Sequence, residues 1–359
     1  MGFRKSKTTF LGAALGLIAA TTVATPSRAD FLTDRIIQNV VQNILQNVRD
    51  QIQSRRLNPP SPGRLQFTGE DADAGSSAAN PFAALAYARA PYTKAPPMVA
   101  PPAPSYIYGL NLIGSGDWSR ASGTSVSSYG VTGAVDITRI GVFSSYDALT
   151  FVFTGSGIWS HAAGLDSNAG VGAGTVAYIN GGFSADFTVN GTWTSSSLAA
   201  IGIITHTDST GVSYAPNVHY KFELGNNWYI EPTFGATYTQ AFDANFGSQT
   251  GDSTEVHGGA RFGTETTWMA AKVQPSLELA AFSLVAQSGT TTFVNPTTGA
   301  SVAASGGTNG VPTGQVGGRA SGKLNFIWTS SLSTFIEAHG SSISGLTSYG
   351  TLGGLRWTF

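Results

Sequence analysis

Apolar and polar residues alternate along most of the chain after position 105. Within residues 227–240, even positions carry mainly Trp, Ile, Phe and Ala, and odd positions carry Tyr, Glu, Thr and Gly. The same period of two recurs in residues 182–193 and 267–281. Because successive side chains of a strand point to opposite faces, this pattern predicts strands with one apolar and one polar face.

Twelve such segments fit between positions 106 and 359. They are 106–118, 125–138, 148–160, 171–180, 182–194, 211–224, 227–240, 253–265, 267–282, 314–328, 331–341 and 346–359. A transmembrane strand needs about ten residues, and each segment is long enough. The pattern therefore predicts an all-β fold, a twelve-stranded antiparallel transmembrane β-barrel with both ends in the periplasm.

The connections are expected to alternate between short turns and long loops. Short turns are predicted at 226, 266 and 329–330, with 139–147 as a longer exception. Long loops rich in Ser, Thr, Gly and Asn are predicted at 161–170, 195–210, 241–252 and 283–313.

Composition agrees with a barrel. Only 11% of the residues are charged, against about 25% in a soluble domain. Mean hydropathy is +0.03, and outside the N-terminus no run of 18 apolar residues is long enough for a membrane helix. A polytopic helical membrane protein is thereby excluded. The absence of Cys excludes a disulfide scaffold and Cys-based metal or redox sites.

Residues 1–29 predict a secretory signal peptide that is cleaved after Ala29. They begin with basic residues, continue with a short apolar run and end in small residues. Because this signal holds four of the 19 basic residues and none of the 20 acidic ones, the mature chain has a net charge of −5. An acidic chain without a basic cluster predicts no nucleic-acid partner.

Residues 30–56 predict an amphipathic helix. Apolar side chains recur every three or four positions, at Ile37, Val41, Ile44, Val48 and Ile52. Three ways of covering this stripe are open: self-association through residues 31–56 or packing within that segment, insertion as a plug in a pore, or contact with a membrane surface. The opposite face is rich in Gln and Asn rather than Lys, which disfavours the membrane surface.

Residues 57–105 contain most of the Pro clusters and predict a linker without regular hydrogen bonding. A two-turn helix at 81–90 is the one expected exception, since helix formers follow a Pro there.

The chain ends on an alternating strand in which Leu355, Trp357 and Phe359 share one face. This ending resembles the C-terminal signal that the outer-membrane barrel-assembly machinery reads, and these three residues are our candidates for it.

Four segments together resemble the autotransporter (type V secretion) β-domain family, in its Gly-rich alphaproteobacterial form. They are LGNNWYIEPTFGATY at 224–238, EVHGGARFGTE at 255–265, VQPSLEL at 273–279 and GGLRWTF at 353–359. The resemblance covers about 106–359 and implies a barrel in the outer membrane of a Gram-negative bacterium. It also implies export of the upstream segment through the pore, with outer-membrane lipid, the barrel-assembly machinery and periplasmic chaperones as partners.

The chain departs from this family upstream of the barrel. Only residues 30–105 lie between the predicted signal and the first strand, without a β-helical repeat or a protease triad. Family members often carry a pore-filling helix directly before the first strand, whereas Pro-rich residues 96–104 stand there in this chain.

Motifs for chemistry are missing from the sequence: there is no Gly-x-Ser-x-Gly, no phosphate-binding Gly loop and no His-Glu-x-x-His. We therefore expect no enzyme, no cofactor and no metal. His339 and Ser341 have the spacing found in outer-membrane phospholipases, but their strand alternation places both in the lumen, away from lipid.

Charged residues on the polar faces of the strands are expected to line the lumen, and both signs are present. The candidates are Asp186, Glu231, Arg261, Lys272, Glu278, Arg319, Lys323, Glu337 and Arg356. Glu231 and Arg261 are a candidate pair on neighbouring strands. We expect such charges to stabilise the barrel by pairing across the lumen or, alternatively, to line a conduit.

The sequence thus favours an outer-membrane barrel of autotransporter type that anchors and exports or displays its short N-terminal segment. The alternative is a structural or pore-forming barrel that retains this segment as a plug or a periplasmic arm.

Overall fold

The structure is a computed structural model. It describes residues 44–45, 48–55, 106–121, 124–144, 147–162, 165–200, 203–243, 249–269, 271–288, 290–294, 301–305, 313–344 and 346–359. The predicted signal peptide with its cleavage point, the Pro-rich linker and the helix at 81–90 lie outside these ranges.

Sixteen strands are present in the described ranges. They are β1 (Tyr106–Ala121), β2 (Thr124–Ile140), β3 (Asp147–Ala162), β4 (Leu165–Asn180), β5 (Phe183–Ala200), β6 (Ile203–Tyr220), β7 (Phe222–Gly225), β8 (Trp228–Asp243), β9 (Gln249–Thr264), β10 (Thr266–Trp268), β11 (Ala271–Ser288), β12 (Thr290–Val294), β13 (Ser301–Ser305), β14 (Val316–Ile327), β15 (Leu332–Ile343) and β16 (Leu346–Thr358).

Twelve of these strands form a closed antiparallel barrel, as predicted. Their order around the barrel is β1-β2-β3-β4-β5-β6-β8-β9-β11-β14-β15-β16, and β16 pairs with β1. At this seam the Phe359 N–H donates to the Tyr108 carbonyl at 3.0 Å, and the Tyr108 N–H donates to the Phe359 carbonyl at 2.9 Å. Closure leaves no unpaired edge, which a chain in lipid requires.

The four remaining strands are short. β7 continues the line of β6 after a break at Lys221 and pairs with β8, and β10 pairs with β11. β12 and β13 form a separate hairpin in the connection between β11 and β14, where a loop was expected.

Two of the predicted long loops are wrong. Residues 161–170 and 195–210 belong mainly to strands, since β3 and β4 are joined at 163–164 and β5 and β6 at 201–202. Ser- and Thr-rich chain can extend a hydrogen-bonded ladder beyond the bilayer, because the ladder itself needs no apolar face and Thr favours strands. The low hydrophobicity of these two segments indicates where the lipid-facing part of each strand ends, and not where the strand itself ends.

The terminal end of the barrel, as we name it, is the end that holds Tyr106 and Phe359; the other is the distal end. At the terminal end, residues 142–144 of the connection between β2 and β3 are folded around Asp147. Its carboxylate accepts the backbone N–H groups of Val142, Phe143 and Ser144 at 2.7–3.3 Å. These hydrogen bonds hold the start of the connection that is longer than the other turns predicted at this end.

Exposure alternates along the strands as the sequence pattern predicts. In β8, Phe234 is 62% exposed and Glu231 is 3% exposed. All seven Trp point outward near strand ends: Trp118, Trp159 and Trp193 toward the distal end, and Trp228, Trp268, Trp328 and Trp357 at the terminal end. Two aromatic belts that bound an apolar band are typical of a barrel in a membrane.

Candidate functional site

A helix occupies the lumen of the barrel. It includes residues 44–45 and 48–55, and Ile44, Val48 and Ile52 are at most 3% exposed. These three side chains pack in one apolar cluster with inward residues of β2, β3 and β4, among them Ile158 and Val171. In the described part of the helix, the apolar stripe is therefore covered by the barrel wall and not by a second copy. Within the described ranges, no helix is long and apolar enough to cross a membrane.

Asp50 is the acidic centre of the contact between helix and wall. Its Oδ2 lies 2.6 Å from Lys323 Nζ, and its Oδ1 lies 3.6 Å from the Arg261 guanidinium. Arg261 also pairs with Glu278 at 2.5 Å. The polar side of the helix is thus joined to β9, β11 and β14 through buried opposite charges, which are tolerated in an apolar surrounding only when they are paired.

Arg49 binds β6 and β9. One guanidinium nitrogen lies 2.8 Å from Asn217 Oδ1 and 2.9 Å from His257 Nε2. Asn217 and His257 reach each other at 2.8 Å across Gly235 of β8, where a Cβ would collide with both. The glycine therefore makes room for the bridge to which Arg49 is bound.

Arg55 anchors the last described turn of the helix. Its Nε and Nη2 donate to Asp136 Oδ2 at 3.0 and 2.6 Å, and Gln51 donates to the other oxygen of Asp136. Arg55 also donates to Thr358 at 3.3 Å, at the end of β16. Because two nitrogens of one guanidinium donate to the same carboxylate, this pair fixes the orientation of Arg55 as well as its position.

These contacts define the direction of the helix. Gln53 donates to Tyr229 at 3.2 Å, and Tyr229 is at the start of β8, at the terminal end. Leu45 instead packs against Ala215, inside β6, and Arg49 meets His257 in the middle of β9. The helix thus runs from the middle of the lumen toward the terminal end, with its N-terminal end directed to the distal end.

The structure brings most of the predicted lumen charges to the inner wall. Asp186, Glu231, Arg261, Glu337 and Arg356 are at most 6% exposed, and the side chains of Lys323, Glu278 and Arg319 are 9, 14 and 23% exposed. Lys272 differs: its side chain is 37% exposed and pairs with Glu265 at 2.7 Å, at the terminal end. Glu231 and Arg261 are direct neighbours in register, but the short ion pair of Arg261 is with Glu278.

Sequence reasoning missed the partners that the helix supplies. Arg49, Asp50 and Arg55 were not among the candidates, and neither was Glu255, which holds Arg319 at 2.6 and 2.8 Å. The charged residues of a helix rich in Gln and Asn, three of them in its described part, were the available signal, beside a lumen with charges of both signs.

His339 and Ser341 lie on the inward face of β15. His339 Nε2 is 2.7 Å from Asp117 Oδ1, and Ser341 shares a hydrogen bond with Ser348 at 2.7 Å. Within the described ranges, no group of three His, Asp or Glu is arranged to hold a metal ion.

Comparison with known proteins decides the family. The model of the autotransporter β-domain matches residues 111–339, which is more than half of the chain. The chain belongs to the autotransporter β-domain family. Among curated proteins, none matches the chain.

Two solved autotransporter barrels have a similar fold. The β-domain of the Bordetella autotransporter BrkA has a TM-score of 0.55 at 13% identity, over 70% of this chain and 99% of that one. The translocator domain of NalP from Neisseria meningitidis has a TM-score of 0.50 at 8% identity, over 71% of this chain and 88% of that one.

Family membership establishes where in the cell the barrel lies. It is an outer-membrane protein of a Gram-negative bacterium, and barrels of this family are inserted by the barrel-assembly machinery and sit in lipid. Outer-membrane barrels extend further on the outer side than on the periplasmic side. The β5–β6 hairpin continues seven residues beyond Trp193 at the distal end, whereas β4 and β5 turn at 181–182 at the terminal end. The terminal end is therefore the periplasmic end, and the distal end faces outward.

Proposed function

We propose that this barrel translocates the short N-terminal segment, and that the described part of the helix, residues 44–45 and 48–55, then closes the lumen from within. The observation that carries the proposal is the direction of the helix. Arg55 and Gln53 contact the terminal end, whereas Leu45 lies deeper in the lumen. Residues 30–43, which precede the described part of the helix in the mature chain, would then lead toward the outer side of the membrane.

The contacts of the helix support a closed end state. Asp50 binds β14 and β9, Arg49 binds β6 and β9, and Arg55 binds β2. Withdrawing the helix would separate all of these buried pairs, and each separated charge would need water or a new partner. In this account the lumen-facing charges hold the helix in place.

A retained plug in a structural or pore-forming barrel is the second candidate. It is favoured by the positions of Arg55 and Tyr106, which both lie at the terminal end. Residues 56–105 thus connect two points at the periplasmic end, in keeping with a periplasmic arm. Ion conductance separates an open pore from a closed lumen: a large conductance of the full-length chain supports a pore, and conductance that arises only when residues 30–105 are deleted supports a lumen closed by the upstream segment.

The direct test of export is protease access to an epitope tag placed after Ala29 in intact cells. Export predicts that the tag is cleaved while the barrel stays protected. A tag inserted at distal connection 163–164 serves as the accessible control, and one between Gly181 and Gly182, at the terminal end, as the protected control. A tag after Ala29 that is cleaved only once the outer membrane is permeabilised would refute export and leave the retained plug.

A further inference from the structure

A cavity of about 500 Å³ lies on the barrel wall at the distal end. Its lining includes Trp118 and Arg120 of β1, Ser127 of β2, His161 of β3 and Tyr349 of β16. Trp118 and Tyr349 point outward, with 41 and 60% of their surface exposed. Arg120 and His161 are exposed as well, so the cavity opens on the outer face of the barrel wall.

The two aromatic rings form a platform. Trp118 and Tyr349 are register partners on the seam strands, and their rings stack with centroids 6.0 Å apart at 20°. Stacked Trp and Tyr at a barrel rim lie at the depth of lipid headgroups, since their rings are apolar and their polar atoms need water.

The depth of Arg120 follows from the strand itself. Tyr108 and Trp118 are both outward on β1, and the ten residue steps from one to the other span about 25 Å along the membrane normal at a strand tilt of about 40°. That is the height of the apolar band of an outer-membrane barrel. Arg120 is the next outward residue beyond Trp118, so it lies at the outer headgroup level.

Arg120 is also the cation that remains available in this cavity. The side chain of His161 pairs with Asp166 at 2.5 Å, whereas Arg120 forms no ion pair with any residue of the described ranges. An exposed arginine beside an aromatic platform suits a phosphate, because its planar fork matches two phosphate oxygens.

We propose that this cavity binds the phosphorylated sugar headgroup of an outer-leaflet glycolipid. A headgroup phosphate receives hydrogen bonds from Arg120, Ser127 borders the sugar, and a sugar ring or the first part of an acyl chain packs on Trp118 and Tyr349. The site thus fixes one lipid at the seam where β1 meets β16.

The test is titration of the purified, folded full-length chain in detergent with lipid A that carries both phosphates, monitored by native mass spectrometry. Arg120→Gln should weaken binding about tenfold, the effect of losing one charge-assisted contact. The matched control is Arg139→Gln. Arg139 is an outward arginine on β2 at the terminal end, stacked over Tyr106 at 5.9 Å, and its loss should leave binding unchanged.

Arg120→Lys keeps the charge but not the fork, so it should bind with intermediate affinity, and it serves if Arg120→Gln does not fold. Trp118→Leu should weaken binding several-fold by removing the platform. Equal affinity of the wild type and Arg120→Gln, or an equal loss in Arg139→Gln, would overturn the proposal. Competition by inorganic phosphate at the concentration of the lipid would instead indicate a free-anion site. Equal binding of phosphatidylglycerol would indicate general lipid contact, and either result would refute a glycolipid site.

Discussion

Asp50 Oδ2 of the lumen helix lies 2.6 Å from Lys323 Nζ of β14, and the two side chains are 1 and 9% exposed. A buried ion pair contributes little net stability by itself, but removal of one partner leaves an uncompensated charge in the interior. This pair therefore makes the position of the helix sensitive to single substitutions on either side.

We expect Asp50→Asn to lower the free energy of unfolding of the refolded barrel by roughly 3–5 kcal/mol, because Lys323 is left buried without its nearest carboxylate. Lys323→Gln should have a similar effect. The double variant should lose less than the sum of the two, since neither charge is then left alone. Urea titrations of all three variants measure this coupling.

Lys221→Gln is the control for that comparison. Lys221 pairs with Glu223 at 3.1 Å, but the Glu223 side chain is 80% exposed, so this pair should contribute little. If Asp50→Asn were as mild as Lys221→Gln, the helix would not be held by buried charge.

Gly350 of β16 should not tolerate a side chain. A Cβ there would collide with Asp117 Oδ1 and His339 Nε2, which bridge over the glycine at 2.7 Å. Gly350→Ala should therefore destabilise the barrel by about 1–3 kcal/mol, the usual cost of overpacking. Gly133→Ala, which has open space around the new Cβ, is the control. Equal urea midpoints for the two variants would show that the hydrogen bond between Asp117 and His339 does not require a glycine at position 350.

Asp147 should make the loop at 141–146 sensitive to acid. Desolvation acts to raise the pKa of Asp147, but hydrogen bonds from the backbone of Val142 and Phe143 outweigh it and hold the pKa below its usual range. A lowered folded pKa gives stability that is complete above the unfolded value of about 3.9 and is lost as pH falls through the folded pKa.

Asp147→Asn should therefore lower the thermal midpoint at pH 7, and the difference from wild type should shrink as the pH is brought below 3.9. Asp166→Asn removes an exposed carboxylate that pairs with His161 and should change the midpoint little at pH 7. A difference between Asp147→Asn and wild type that stays constant down to pH 2 would contradict a role for the ionised carboxylate.

Phe359 combines two roles that a substitution can separate. Its backbone makes two hydrogen bonds with Tyr108 at the seam, and its ring, 50% exposed, belongs to the predicted barrel-assembly signal. Phe359→Ala keeps the backbone bonds, so it should refold in detergent like the wild type but accumulate less in the outer membrane of cells. Phe222→Ala, at a similarly exposed Phe of the terminal end, should accumulate normally. Normal accumulation of Phe359→Ala would contradict the signal.

The barrel was predictable because alternation is a local property of each strand. The faces of β5 and β8 follow directly from it, and so does the closure of twelve strands. Strand ends beyond the bilayer were not predictable, because Ser- and Thr-rich chain can form either loop or ladder. The β5–β6 pair, which continues to Ala200 and Ile203, is the clearest case.

Of the contact between helix and barrel, only the residues of the barrel wall were predictable. Strand alternation predicted that Arg261 and Lys323 face the lumen. The apolar stripe of the helix indicated which face of the helix is buried, but it did not indicate which part of the protein covers that face. The partner Asp50 became evident only when the helix was found in the lumen. A contact between residues far apart in sequence has no local signature in either segment.

The position and direction of the helix can be measured by cysteine cross-linking, since the chain has no Cys of its own. The pair Gln53→Cys with Tyr229→Cys tests the terminal end, and Leu45→Cys with Ala215→Cys tests the deeper contact. A short bismaleimide applied to cells should join both pairs and should not join Leu45→Cys with Tyr229→Cys. Linkage of that crossed pair, or of none of the three, would contradict a helix that enters the lumen with its N-terminal end directed outward.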